Sequence, residues 1–202
     1  MKLLCVLCFM FIGSSATLLD QETNLLPPSS VDCNWQPRTG VEPEHLERLL
    51  EQKDYGEFCR LMGIGDPDNC LPRDENDMSD PMMREDSPFG DILVPDEDEL
   101  EQARQGVDFS KCGKKKWNGK VAYYVSRQFS KDQRDEINNA VAKWNEKVQC
   151  VSYEPRSKEK GYVFFFPGNG CWALLGKRGV QQPISYSRGC FRQGHYVARD
   201  GP

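Results

Sequence analysis

The sequence predicts an α/β (α+β) chain: a twisted sheet with one long helix, preceded by an acidic segment. Three observations point there. Residues 121–187 contain several short runs rich in β-branched and aromatic side chains, which is strand chemistry. Between the first two of these runs lies one capped stretch with apolar residues at helical spacing. The charge is also sharply divided. Residues 1–110 carry 8 Lys and Arg against 24 Asp and Glu, whereas residues 111–202 carry 18 against 7, giving nets of −16 and +11.

The elements follow in chain order. Lys2, the apolar run Leu3–Ile12 and the small residues Ser14 and Ala16 form a secretory signal pattern over residues 1–16, with the mature chain starting near Thr17. The run is too short to span a bilayer, which takes about 20 apolar residues. From Pro43 to Met62, Leu46, Leu49, Leu50 and Leu61 recur at roughly helical spacing, and Gly63 and Gly65 stop the helix. Residues 74–87 read as loop and residues 96–105 as a second short helix. The acidic portion is rich in proline and poor in core formers, so it is expected to be only partly ordered by itself. An acidic run usually reads as a solvated linker, but opposite fields also favour docking on the basic half.

In the basic half, Val121–Val125 is a strand. Ser130 opens a helix with Gln133 three residues on, a capping-box pattern. Ile137, Ala140, Val141, Trp144 and Val148 make its core face. Val151–Tyr153 is a strand ended by Pro155. Tyr162–Phe166 is nearly continuous apolar sequence, hence a strand buried on both faces. Residues 168–170 form a loop, and Gln181–Ser187 a fourth strand. No internal repeat interrupts this order.

Nine cysteines are present. Cys5 and Cys8 leave with the signal. Cys33, Cys59, Cys70, Cys112, Cys150, Cys171 and Cys190 remain, an odd number for an oxidising compartment, so at least one lacks a partner within the chain. Sequence alone leaves their pairing open. There are two histidines, His45 and His195, and a His-based metal site needs two or three imidazoles converging on one ion.

The motif order becomes specific from Trp117–Asn118–Gly119 onward. The strand and capped helix follow, then Lys147–Val148–Gln149–Cys150–Val151 and Pro155–Arg156. Next come Gly161–Tyr162, Gly168–Asn169–Gly170–Cys171–Trp172, Leu175–Gly176–Lys177, Gln181–Gln182, and Ser185 through Cys190. This succession resembles the N-terminal half of the catalytic domain of astacin-type zinc metalloendopeptidases, over about residues 117–194. The resemblance implies a zincin-like half-domain over residues 111–202, preceded by a prosegment over residues 17–110. Such prosegments carry a Phe-x-Gly-Asp stretch whose aspartate sits on zinc. Gly90–Asp91 fits it, with Pro88 where the Phe is expected and Phe89 beside it, which makes Asp91 the latency residue whenever zinc is present. The family also implies a Cys171–Cys190 bridge, contributing about 3 kcal/mol by loop closure. It gives Cys150 a partner near the far end of the full domain, and leaves Cys112 to pair with Cys150 or a prosegment cysteine.

Astacins continue into His-Glu-x-x-His-x-x-Gly-x-x-His. In that register Ala198, Arg199 and Pro202 stand at the first histidine, the glutamate and the second histidine. Gln193 replaces a histidine common just upstream, and His195 reads as a lone surface residue. The sequence is therefore expected to be the first part of a precursor, with no catalytic residues and no cofactor of its own, although zinc serves the full-length family. Loss of the zinc helix predicts that Ile137, Trp144 and Phe164 are partly uncovered.

Three functions compete. The first is a secreted zinc endopeptidase zymogen with a polypeptide substrate. Its edge strand, Gln181–Ser187, would pair with substrate through Gln182, Ser185 and Ser187, and its prosegment would dock on the peptidase domain. Cleavage after Arg104 or within Lys114–Lys116 would activate it. The second is a non-enzymatic secreted inhibitor of related proteases acting through Asp91. The third is a cysteine-stabilised binding module. No nucleic-acid or membrane partner is expected.

Overall fold

The computed structural model describes residues 40–81, 91–93, 117, 119–174 and 176–191. The signal peptide, Cys33, Cys112, the helix expected over residues 96–105, both activation sites and residues 193–202 lie outside them.

The acidic portion supplies two short helices, α1 (Pro43–Glu51) and α2 (Tyr55–Met62), and a 3₁₀ turn (Pro67–Cys70). One continuous helix to Met62 does not form. Lys53 adopts a left-handed backbone at φ 58°, and the Asp54 carboxylate accepts from the Glu57 N–H at 3.1 Å to cap a new helix. Gly63 ends α2 at φ 77°, its N–H bonding Arg60 and that of Ile64 bonding Cys59, a Schellman-type stop. A Cys59–Cys70 disulfide joins α2 to the 3₁₀ turn.

The remaining elements are β1 (Ile92–Leu93), β2 (Gly119–Val125), α3 (Lys131–Lys147), β3 (Val151–Pro155), β4 (Val163–Phe166), β5 (Cys171–Leu174), β6 (Gln182–Tyr186) and a closing 3₁₀ turn (Arg188–Phe191). They build one mixed sheet in the order β1-β5-β6-β4-β2-β3. All neighbours are parallel except β5 and β6. The α+β architecture with one long helix is as the sequence implies. The capping box is present too: the Ser130 side chain accepts from the Gln133 N–H, and Gln133 returns the bond.

Two elements differ from the sequence reading. Cys171–Leu174 is a strand although its Gly-Asn-Gly approach reads as loop, because pairing with β6 supplies the hydrogen bonds that local sequence does not announce. Ile92–Leu93 becomes a strand only by pairing with β5.

The sheet is buried on both faces. Val121, Val163, Phe165 and Ile184 face Ile137, Ala140, Val141 and Trp144 of α3. Tyr162, Phe164, Phe166 and Trp172 face Leu46, Leu49, Leu50, Phe58 and Met62 of α1 and α2. β4 thus sends Val163 and Phe165 one way and Phe164 and Phe166 the other. The expected uncovering of Ile137, Trp144 and Phe164 does not occur, since they are 0%, 2% and 0% exposed. Phe164 is covered by the acidic portion, with the Phe58 ring centroid 5.9 Å away. Among the described residues the large exposed apolar side chains are Leu71 and Met78.

Candidate functional site

A sheet receives an extended peptide only at a free edge, where alternate main-chain groups point outward. The β3 edge is closed by α3. Asn145 donates to the Tyr153 carbonyl at 2.7 Å and accepts from its N–H at 2.8 Å, and the Trp144 indole donates to the Val151 carbonyl at 3.1 Å.

The other edge is the outer side of β5. Outward amides of β5 and of the loop leading into it bond the acidic portion at three places. Asn169 N–H donates to Asn69 at 3.2 Å, Cys171 N–H to Pro81 at 3.0 Å and Ala173 N–H to Asp91 at 2.9 Å. Ile92 and Leu93 then run parallel beside Ala173 and Leu174. Beyond β5, the Arg188 guanidinium donates to the Glu75 carbonyl. Gly189 lies so close to the Pro81 ring that a Cβ there would collide with it.

The substrate-edge assignment of Gln182, Ser185 and Ser187 is therefore corrected. β6 lies between β5 and β4, and all three residues are at most 1% exposed. Their side chains hold the neighbouring loops. Gln182 donates to Gly176 at 2.8 Å and accepts from the Arg178 N–H at 3.1 Å. Ser185 donates to Gly170 at 2.7 Å, and Ser187 sits 3.5 Å from the Cys190 sulfur. Cys190 is bonded to Cys171, which ties the start of β5 to the closing turn. Cys150 is free and exposed.

Asp91 stands where β1 begins. Its carbonyl belongs to the edge ladder, and its side chain is 7% exposed, with burial pushing the carboxyl above the usual range. Among the described residues no three His, Cys, Asp or Glu side chains converge on a possible metal position. His45 is exposed on α1, with its Nδ1 3.2 Å from the Arg48 guanidinium.

Other contacts join the acidic portion to the sheet domain, and sequence reasoning missed them. Glu47, fully buried on α1, accepts from the Arg127 N–H at 2.8 Å and the Ser126 hydroxyl at 3.2 Å. Burial raises its pKa, and those hydrogen bonds partly offset the rise. The Gln181 amide accepts from Val41 N–H at 3.0 Å and donates to Leu61 at 2.9 Å. The Tyr162 hydroxyl donates to the Val41 carbonyl at 2.7 Å. A helix-face glutamate between leucines carries no local signal that it will be buried. The Gln181–Gln182 pair stood in the motif series without a structural role.

The order of elements and the Cys171–Cys190 bridge meet a sequence finding. Residues 109–198 match the family model described as Astacin, a family of peptidases. Over these residues the chain is astacin-like. Members of the astacin family are zinc-dependent metalloendopeptidases that act on polypeptides.

Similar proteins include zinc metalloproteinase nas-4 of Caenorhabditis elegans, 34% identical over 113 residues, covering 54% of this chain and 36% of that protein. Blastula protease 10 of Paracentrotus lividus is 32% identical over 130 residues, covering 55% and 21%. Meprin A subunit alpha of Rattus norvegicus is 24% identical over 154 residues, covering 75% and 16%. The chain thus spans about a third, or less, of the length of these astacin relatives. Among solved structures, high choriolytic enzyme 1, a hatching enzyme zinc-protease from Oryzias latipes, overlaps 36% of each chain at 29% identity with a TM-score of 0.34.

Zinc is the metal that the astacin family implies. A zinc centre needs at least three protein ligands, and the described donors of this astacin-type segment do not supply them.

Proposed function

We propose that this chain is the precursor portion of a secreted astacin-type zinc endopeptidase. Residues 1–16 are its signal peptide, residues 17–110 its prosegment, and residues 111–202 part of its peptidase domain. The observation that carries this reading is the occupied β5 edge. Asn169, Cys171 and Ala173 present alternate amides, the pattern an extended polypeptide uses when it adds to a sheet, and all three bond carbonyls of the acidic portion. An edge filled from within the chain is closed to substrate. Substrate recognition moves accordingly from β6 to β5, with latency arising from main-chain occupancy and Asp91 as the family's latency residue.

Residues 17–202 by themselves bind no zinc tightly and hydrolyse no peptide, because the sequence offers two histidines, and His45 stands exposed on α1. Among the described residues no helix is long and apolar enough to cross a membrane, and the partner class is polypeptide.

The competing inhibitor reading requires the acidic portion to leave its own β5 edge before it engages another protease. One experiment separates the two. Secreted 17–202, added at micromolar concentration to an active astacin-type protease with a fluorogenic peptide, is expected to leave turnover unchanged. Hydrogen exchange on the same sample is expected to show slow amides at Asn169, Cys171 and Ala173. Inhibition that Asp91→Ala abolishes would establish the inhibitor instead, and fast exchange at those amides would remove the basis for latency.

A further inference from the structure

The acidic portion makes two kinds of contact. Along the β5 edge it is held by main-chain hydrogen bonds and a two-residue strand. On the face of the sheet it supplies half of a hydrophobic core. We propose that α1, α2 and the Pro67–Cys70 turn are a lasting part of the folded unit: once the chain is cut between residues 94 and 116, they stay bound to the sheet as a separate, noncovalently held chain. The natural relevance of that cut rests on the prosegment reading. The interface itself does not.

The argument is reciprocal burial. Tyr162, Phe164, Phe166 and Trp172 are fully buried beneath Leu46, Phe58 and Met62. Phe58 lies 4.9 Å from Phe166 and 5.9 Å from Phe164, centroid to centroid, and Phe166 packs on Trp172 at 5.8 Å. Departure of the helices would leave a contiguous aromatic patch in water, of a kind that folded monomers rarely tolerate. The helices need the sheet just as much. At nine and eight residues they are too short to persist alone.

The polar anchors face inward and are satisfied. Gln181 bridges Val41 and Leu61, and Glu47 holds the Ser126–Arg127 turn. The Cys59–Cys70 bond keeps α2 and the turn as one piece after any cut. Among the described residues, the direct ion pairs across the interface are Arg156–Glu42 at 2.9 Å, with the arginine buried and the glutamate exposed, and Arg127–Glu51 at 3.8 Å, with both side chains exposed. Salt therefore has little to screen.

The test uses the full secreted chain with a specific protease site replacing Lys114–Lys116, in a Cys150→Ser background. With Cys171 and Cys190 bonded to each other, no cysteine downstream of the cut is left to link the fragments covalently. After cutting, the expected result is a single peak on size exclusion containing both fragments, unchanged by tenfold dilution and by molar salt. The amides of Tyr162–Phe166 should remain as protected as in the uncut chain. Separation at low salt would overturn the proposal. Separation only at high salt would overturn it too, by assigning the association to charge. Because the cut is engineered, failure here leaves the β5-edge exchange result standing as the separate measure of latency.

Discussion

At the scale of single residues, Glu47 shows how a polar group becomes a fixed anchor. It lies on α1, yet is fully buried because its two oxygens meet the Arg127 N–H and the Ser126 hydroxyl. Replacing it by Ala removes the acceptor of the Arg127 N–H and leaves the buried Ser126 hydroxyl without this partner, a loss of about 1–3 kcal/mol. Urea unfolding of Glu47→Ala should report that decrease, whereas Met78→Ala, at an 85% exposed site, should not differ from the parent. Glu47→Gln should retain most of the stability, since its carbonyl oxygen still accepts from Arg127 and the Ser126 hydroxyl can turn to accept from the new amide.

At the scale of elements, α1 and α2 are made by the sheet they cover. Phe58 enters between Phe164 and Phe166 on the face opposite α3. Phe58→Ala should therefore cost about 3–5 kcal/mol, the range for emptying a buried aromatic site. Denaturant unfolding measures the loss, and hydrogen exchange locates it in α2 and β4. No comparable loss in β4 would mean that the helices ride on the sheet without sharing its core. The β3 edge illustrates the opposite device. Asn145 and Trp144 fill its outward groups with side chains from α3, so that edge accepts no further strand. The β5 edge has no such guard and takes main chain instead.

At the scale of the whole molecule, the buried acidic groups couple the fold to pH. Burial raises both Glu47 and Asp91 above their ordinary values, so the folded chain binds these protons more readily than the unfolded one. Their contribution is fully present below the unfolded value, 4.5 for Glu47, and is lost as pH rises through the raised folded value. Tyr124, Glu51 and Arg127 also act on Glu47, with the Arg127 charge opposing the rise and Glu51 adding to it. Stability measured from pH 4.5 upward should fall less steeply in Glu47→Gln than in the parent. Identical slopes would show that Glu47 takes no part.

Features whose physics is local or periodic are legible in the amino-acid order. Ser130 and Gln133 announce a helix start because capping is satisfied within one turn. The nearly continuous apolar run Tyr162–Phe166 announces a strand buried on both faces. The ordered series from Trp117 to Cys190 carries the astacin resemblance in sequence alone. The positions of the sheet edges come instead from long-range strand pairing. Gln182, Ser185 and Ser187 read as an exposed strand, yet β6 is internal, because strand order depends on pairings between residues far apart in the chain. Cys171–Leu174 became a strand, and Ile92–Leu93 its neighbour, through hydrogen bonds that no local composition encodes. Charge division suggested docking of the acidic portion, but leucines and Phe58 provide the contact area, since packing against Phe164 and Phe166 exists only once the sheet has formed.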